Sequence, residues 1–127
     1  MNDGYDHYRA IDLDTQVSCA SPYELVLVLF DGLLDELSRA RGHIEARHFD
    51  LKGQSLEKCM NIINALNSTL DHEQGGELIV SLSCVYDYCL HRLVEVSASL
   101  SVSGIDEVTH LLEQIREGWE GVNAIRS

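Results

Sequence analysis

The stretch "ASPYELVLVLF", residues 20–30, limits what this chain can fold into. Ser21 can accept a bond from a free backbone N–H, Pro22 suits a first helical position, and Glu24 stands three residues after Ser21, so a helix is expected to start here. The six residues from Leu25 to Phe30 are all apolar. At about 100° per residue they point to every side of a helix. A helix of a small soluble domain needs one apolar face only. Something apolar is therefore expected to lie across the far side of this one.

The remaining sequence gives that helix neighbours of its own kind. The chain has 127 residues, enough for one core, and 45% of them are hydrophobic. Helical periodicity predicts segments near 22–46, 50–72, 75–101 and 104–126. Their predicted core stripes are Leu25, Leu29, Leu33, Leu37, Ala40 and Ile44; then Leu56, Met60, Ile63, Leu66 and Leu70. The third is Leu78, Leu82, Val85, Cys89, Leu93, Val96 and Leu100; the fourth is Ile105, Val108, Leu112, Ile115, Trp119 and Val122. The stretches "RHFD", "EQGG" and "SVSG" punctuate them, and Ser103 with Asp106 reads as a capping pair before the last. Short connections make neighbours antiparallel. The expectation is an all-α, up-down four-helix bundle over 21–127, with residues 1–20 left over as an N-terminal tail.

Several functions are disfavoured by composition and spacing. Nine Lys and Arg against 21 Asp and Glu give a formal charge of −12, without the basic face that nucleic acid requires. No apolar run reaches the ~18–20 residues of a membrane span, so no membrane insertion is expected. The start "MNDGYDHYRAIDLD" lacks the basic-then-apolar order of a signal peptide, which favours the cytoplasm. Cys19, Cys59, Cys84 and Cys89 form no C-x-x-C pair and read as reduced packing residues.

Two bundle chemistries fail on geometry. "EARH" (Glu45, His48) and "EVTH" (Glu107, His110) match the Glu-x-x-His of di-iron bundles. Glu107 and His110 fall roughly 100° and 160° from the apolar face of the fourth helix, and Glu45 and His48 sit at a helix end. "HFDLKG" resembles a phosphotransfer histidine motif with one residue too many, which turns its lysine about 100° away. His91 lacks the pattern altogether. No metal, no other cofactor and no enzyme activity are expected.

Surplus apolar surface remains. Val28 lies opposite the stripe of the first helix, and Leu27 and Leu34 lie on its flank. Ile62 on the second helix, and Leu90 and Val94 on the third, widen their apolar faces in the same way. Such a surface suits a partner segment with amphipathic helices.

The stretches "ASPYELVLVLFDGLL", "KGQSLEKCMNIINALNSTLD", "EQGGELIVSLSCVYDYCLHRL" and "LLEQIREGW" resemble, in order, the FliS family of flagellar secretion chaperones over nearly the whole chain from Tyr8 to Trp119. The resemblance implies a four-helix bundle that binds the disordered C-terminal segment of flagellin one-to-one and prevents premature polymerisation. It also implies delivery of that client to the flagellar type III export gate. The client would wrap the bundle, partly as short helices in apolar grooves, and residues 1–20 would be a mobile tail or lid that covers part of that surface when empty. Tyr8, fourteen residues before Pro22, resembles the family's tail tyrosine, and Tyr5 takes the place of an apolar residue three positions earlier. A regulatory adaptor binding an anti-sigma factor or another export component is the alternative partner reading.

Overall fold

The computed structural model describes residues 21–73 and 75–126, the side chains of 122–126 excepted. Tyr5, Tyr8 and Cys19 lie outside the described residues. Four helices and no strand occur among those described: α1 (Pro22–Glu45), α2 (Phe49–Ser68), α3 (Glu77–Ser99) and α4 (Val102–Arg126). Each packs against two neighbours, α1 on α2 and α4, and α3 on α2 and α4; the diagonal pairs do not meet. The seams run antiparallel. Tyr23 and Arg41, near opposite ends of α1, meet Trp119 and Asp106, near opposite ends of α4 in reversed order. Lys52 at the start of α2 donates to the Ser97 carbonyl near the end of α3, at 3.1 Å.

Local chemistry sets the helix ends. The Ser21 hydroxyl accepts from the Glu24 amide at 3.2 Å, with Pro22 in the first turn. After α1 the chain reverses with Arg47 at φ 62, where His48 N–H reaches the His43 carbonyl at 2.8 Å. That is the bond of a Schellman turn, a position glycine usually holds. Gly75 and Gly76 take positive φ in the α2–α3 connection, as its "GG" suggests. The cap of α4 differs from the expected one. Ser101, not Ser103, accepts from the backbone, taking the Gly104 amide at 3.1 Å, and the helix starts two residues early.

The core is one cluster in which Phe30, Leu33, Leu37 and Ala40 of α1 join Leu56, Cys59, Ile63 and Leu66 of α2. Cys89, Leu93 and Val96 of α3 and Ile105, Val108 and Leu112 of α4 complete it. In the first half of α1 the stripe runs through Val26 and Phe30, while Leu25 and Leu29 are half-buried. A spacing of four drifts about 40° per step, so Leu25, Leu29, Leu33 and Leu37 cannot share one face; alternating fours and threes can. The same correction brings Cys59 into the core in place of the half-buried Met60, and Tyr86 of α3 with it. Burial pushes the Cys59 and Cys89 thiols up to about 12 and about 11, so both are neutral packing groups; Cys84 is exposed. Leu78 and Leu100 belong to the expected α3 stripe yet are 70% and 38% exposed, because they sit at the two ends of the helix.

Gly104 of α4 sits against Val96 and Arg92 of α3. A Cβ there would lie 2.6 Å from Val96 Cγ2, and Val96 is fully buried. Alanine gains about 1 kcal/mol of helix propensity over glycine, but overpacking a filled core costs about 1–3 kcal/mol. Gly104→Ala should therefore lower stability by about 1–2 kcal/mol, and Val96→Ala should recover part of the loss in a double-mutant cycle read by urea unfolding.

Candidate binding surface

Outside the core, each pair of neighbouring helices leaves a groove, and the four grooves differ in chemistry. Leu27 and Leu34 share a row on α1 with Tyr23, Asp31 and Arg41, the residues that meet α4. Ion pairs close this seam. Arg116 donates to Asp31 at 2.8 Å and to Glu120 at 2.7 Å, and Arg41 to Asp106 and to Glu45, both at 2.8 Å. Tyr23 stacks on Trp119 with ring centres 4.9 Å apart, and the indole N–H donates to the Tyr23 carbonyl at 3.1 Å. Leu27 and Leu34 are half-buried, Leu34 against the core.

Val28 lies about 160° from the core line of α1, facing away from both neighbouring helices, and is half-buried. Ile62 continues the α2 row of Leu51, Ser55 and Lys58, which lines the groove toward α1. It is half-buried and packs on the core, as does Leu29 on α1. Leu90 and Val94 share a row with Ser97 on the α2 side of α3. Leu90 packs on the core, whereas Val94 is 59% exposed. The six expected residues within the described range therefore do not form one patch. They are spread around the bundle over three grooves and the outer face of α1.

A fourth groove was not expected. Between α3 and α4, Cys84, Val85, Tyr88 and Leu111 line a hollow of about 400 Å3 with Glu107 at its rim. Val85 and Leu111 are half-buried against the core and Tyr88 is 45% exposed. The signal lay in Leu111, about 90° off its core stripe, and in Tyr88, three residues after Val85, both of which the stripe-based reading passed over.

Glu107, read from sequence as an outward solvated charge, is exposed but tied across this seam. It accepts from Arg92 Nε at 2.8 Å and from the Tyr88 hydroxyl at 2.9 Å. The Arg92 bond, then the Tyr88 bond, holds its carboxyl below the usual carboxylate range, and the same bond pushes the Tyr88 hydroxyl up. No group of three or more metal-binding side chains occurs among the described residues, and His110 is exposed. A carboxyl with a lowered folded pKa stabilises above its unfolded pKa of about 4.3 and loses that contribution as pH falls through the folded value. Glu107→Gln should thus lower the melting temperature at pH 7, and the gap from the parent should close as pH falls below about 4, in parallel thermal scans.

The comparisons with known proteins agree with this architecture. A family model described as "Flagellar protein FliS" matches residues 4–126. The chain is 39% identical over 116 residues to the flagellar secretion chaperone FliSB of Pseudomonas aeruginosa, covering 91% of this chain and 92% of that one. It is 38% identical to the flagellar secretion chaperone FliS of Salmonella typhimurium, covering 94% and 90%. It is 34% identical to that of Bacillus subtilis, covering 82% and 77%. With a helical bundle over the described residues and a family match over nearly its full length, this chain belongs to the FliS family of flagellar secretion chaperones.

Proposed function

We propose that this protein is a cytoplasmic export chaperone that binds the disordered C-terminal segment of flagellin. In this reading it keeps flagellin from polymerising early and brings it to the flagellar type III export gate. The observation that carries the reading is the distribution of apolar surface. Half-buried and exposed apolar residues line grooves on several sides of one small bundle, and Leu78, Val80 and Val94 are 70%, 60% and 59% exposed. A compact partner domain would meet one face. A segment that folds on binding can follow successive grooves and bury each in turn.

The energetics suit such a client. Every 100 Å2 of apolar surface removed from water stabilises by about 2.5 kcal/mol, and ordering a disordered segment offsets much of that gain. A wrapped client needs many shallow contacts rather than one deep pocket. Leu27, Val28, Leu34, Ile62, Leu90 and Val94 are the proposed contacts, with Val85, Tyr88 and Leu111 added. Residues 1–20 act as a lid over part of this surface when no client is bound, through Tyr8 and Tyr5. No helix among the described residues is long and apolar enough to cross a membrane. The chemistry of binding and release requires no cofactor or catalytic group.

Titration of the purified protein with a flagellin C-terminal peptide, with the anti-sigma factor as a competing partner, tests the reading. The flagellin peptide should bind one-to-one. Val28→Asp and Val94→Asp should each weaken it at least tenfold, because an unpaired carboxylate is costly to bury. Both variants should melt within a few degrees of the parent, since neither side chain belongs to the core. No binding of the peptide, or equal binding by both variants, would contradict the proposed surface.

A further inference from the structure

The end of the bundle where α1 turns into α2 and α3 into α4 carries a cluster that neither the core nor the grooves use. Phe49 opens α2 about 20° from the line of the buried Leu56, and Leu100 caps α3 four residues after the buried Val96. Both lie over the end of the core, yet they are 42% and 38% exposed. Two cations flank the Phe49 ring. The Arg47 guanidinium lies 5.8 Å from its centre and the Lys52 ammonium 5.9 Å. Lys52 is half-buried, and its one hydrogen bond goes to the Ser97 carbonyl at 3.1 Å. Neither cation holds a carboxylate among the described residues. Glu45 and Asp106, the acids that end α1 and begin α4, are both taken by Arg41. Asp50 is exposed and lies about 160° round α2 from Lys52.

The backbone points to the same end. Arg47 and Leu100, at φ 62 and 58, are the two non-glycine residues with positive φ among those described. Glycine takes this conformation without the steric cost that a Cβ brings. The chain bears that cost twice at one end of the bundle, and gains there a cationic side chain and an apolar one. A half-buried ammonium with N–H bonds left to give, a guanidinium across the same ring and an uncovered apolar floor complement carboxylates carried beside an apolar side chain.

We propose that this end of the bundle docks an acidic, partly apolar segment of a partner protein, with its carboxylates on Arg47 and Lys52 and an apolar side chain across Phe49 and Leu100. The site does not depend on the flagellin reading, because it uses none of the residues assigned to that surface. An anionic bilayer fits less well. A plane laid on this end would also meet the Asp50 side of α2 on a chain of formal charge −12, whereas a segment meets the cluster alone.

The test uses the full chain, labelled with 15N, and three probes. They are a capped helical peptide of repeating Glu, Leu and Ala, the same peptide with Gln for Glu, and phosphatidylglycerol vesicles. The Glu peptide should move the amide signals of Arg47, Phe49, Lys52 and Leu100, and the Gln peptide should bind at least tenfold more weakly. Lys52→Gln should lose at least tenfold in affinity. Arg47→Gly should lose at least threefold while melting no lower than the parent, because glycine suits φ 62, so its loss cannot come from unfolding. Equal binding of the two peptides, or no binding of either, would overturn the proposal. So would unchanged affinity in Arg47→Gly, shifts centred on Leu90 and Val94, or binding to vesicles without binding to the Glu peptide. Amide shifts in residues 1–20 on going from the parent to Arg47→Gly without peptide would assign the site to the chain's own tail and overturn it as well.

Discussion

Phe30, Leu33, Leu37 and Ala40 have no exposed surface, and their burial against α2 and α4 is the contact on which the bundle depends. Each fully buried Leu or Phe contributes about 1.5–3 kcal/mol. The exposed ion pairs of the α1–α4 seam contribute about 0–1 kcal/mol each, so they align the helices more than they hold them. The core takes one stripe from each helix and no more. α1 and α3 carry apolar residues beyond that stripe, and the bundle has no interior left to receive them. The same packing that stabilises the fold therefore leaves apolar grooves open around it.

Those leftovers differ in kind from groove to groove. The α1–α4 seam is sealed by Arg41, Arg116 and the Tyr23–Trp119 stack. The α2–α3 and α3–α4 grooves stay apolar, the latter with Glu107 fixed at its edge by Arg92 and Tyr88. The α1–α2 groove is split along its length, apolar near Leu29 and Ile62 and polar around Glu36, Arg39 and Lys58.

Much of this was legible in the sequence. Proline, glycine and capping residues marked four helices to within a few residues. The stripes of their central turns, from Leu33 to Ile44 and from Ile105 to Leu112, were read correctly. The first turns of α1 were misread because Leu29 and Phe30 both fit a periodic pattern, and only packing against α2 and α4 decides between them. Tyr86 stands outside the expected α3 stripe because Val85, four residues before Cys89, fits the period as well as Tyr86, three before it, yet Tyr86 is the one buried, at 3% exposed. The angle of a residue on its helix was readable, which is why Val28 falls opposite the α1 stripe and Val94 on the flank of the α3 stripe. The neighbouring helix across each groove was not, so the hollow around Tyr88 and Leu111 became visible only in three dimensions. The family's motifs, by contrast, lie along the chain and were legible as they stand.

The central claim is that surplus apolar surface is what this chaperone offers its client. The heat-capacity change of binding a flagellin C-terminal segment tests it most directly, measured by calorimetry at several temperatures. Burial of apolar surface with coupled folding of the segment gives a large negative value. A strongly negative heat-capacity change, reduced in size by Val94→Asp, is the predicted result. A value near zero for a tight one-to-one complex would mean that polar contacts carry the binding, and would contradict the account.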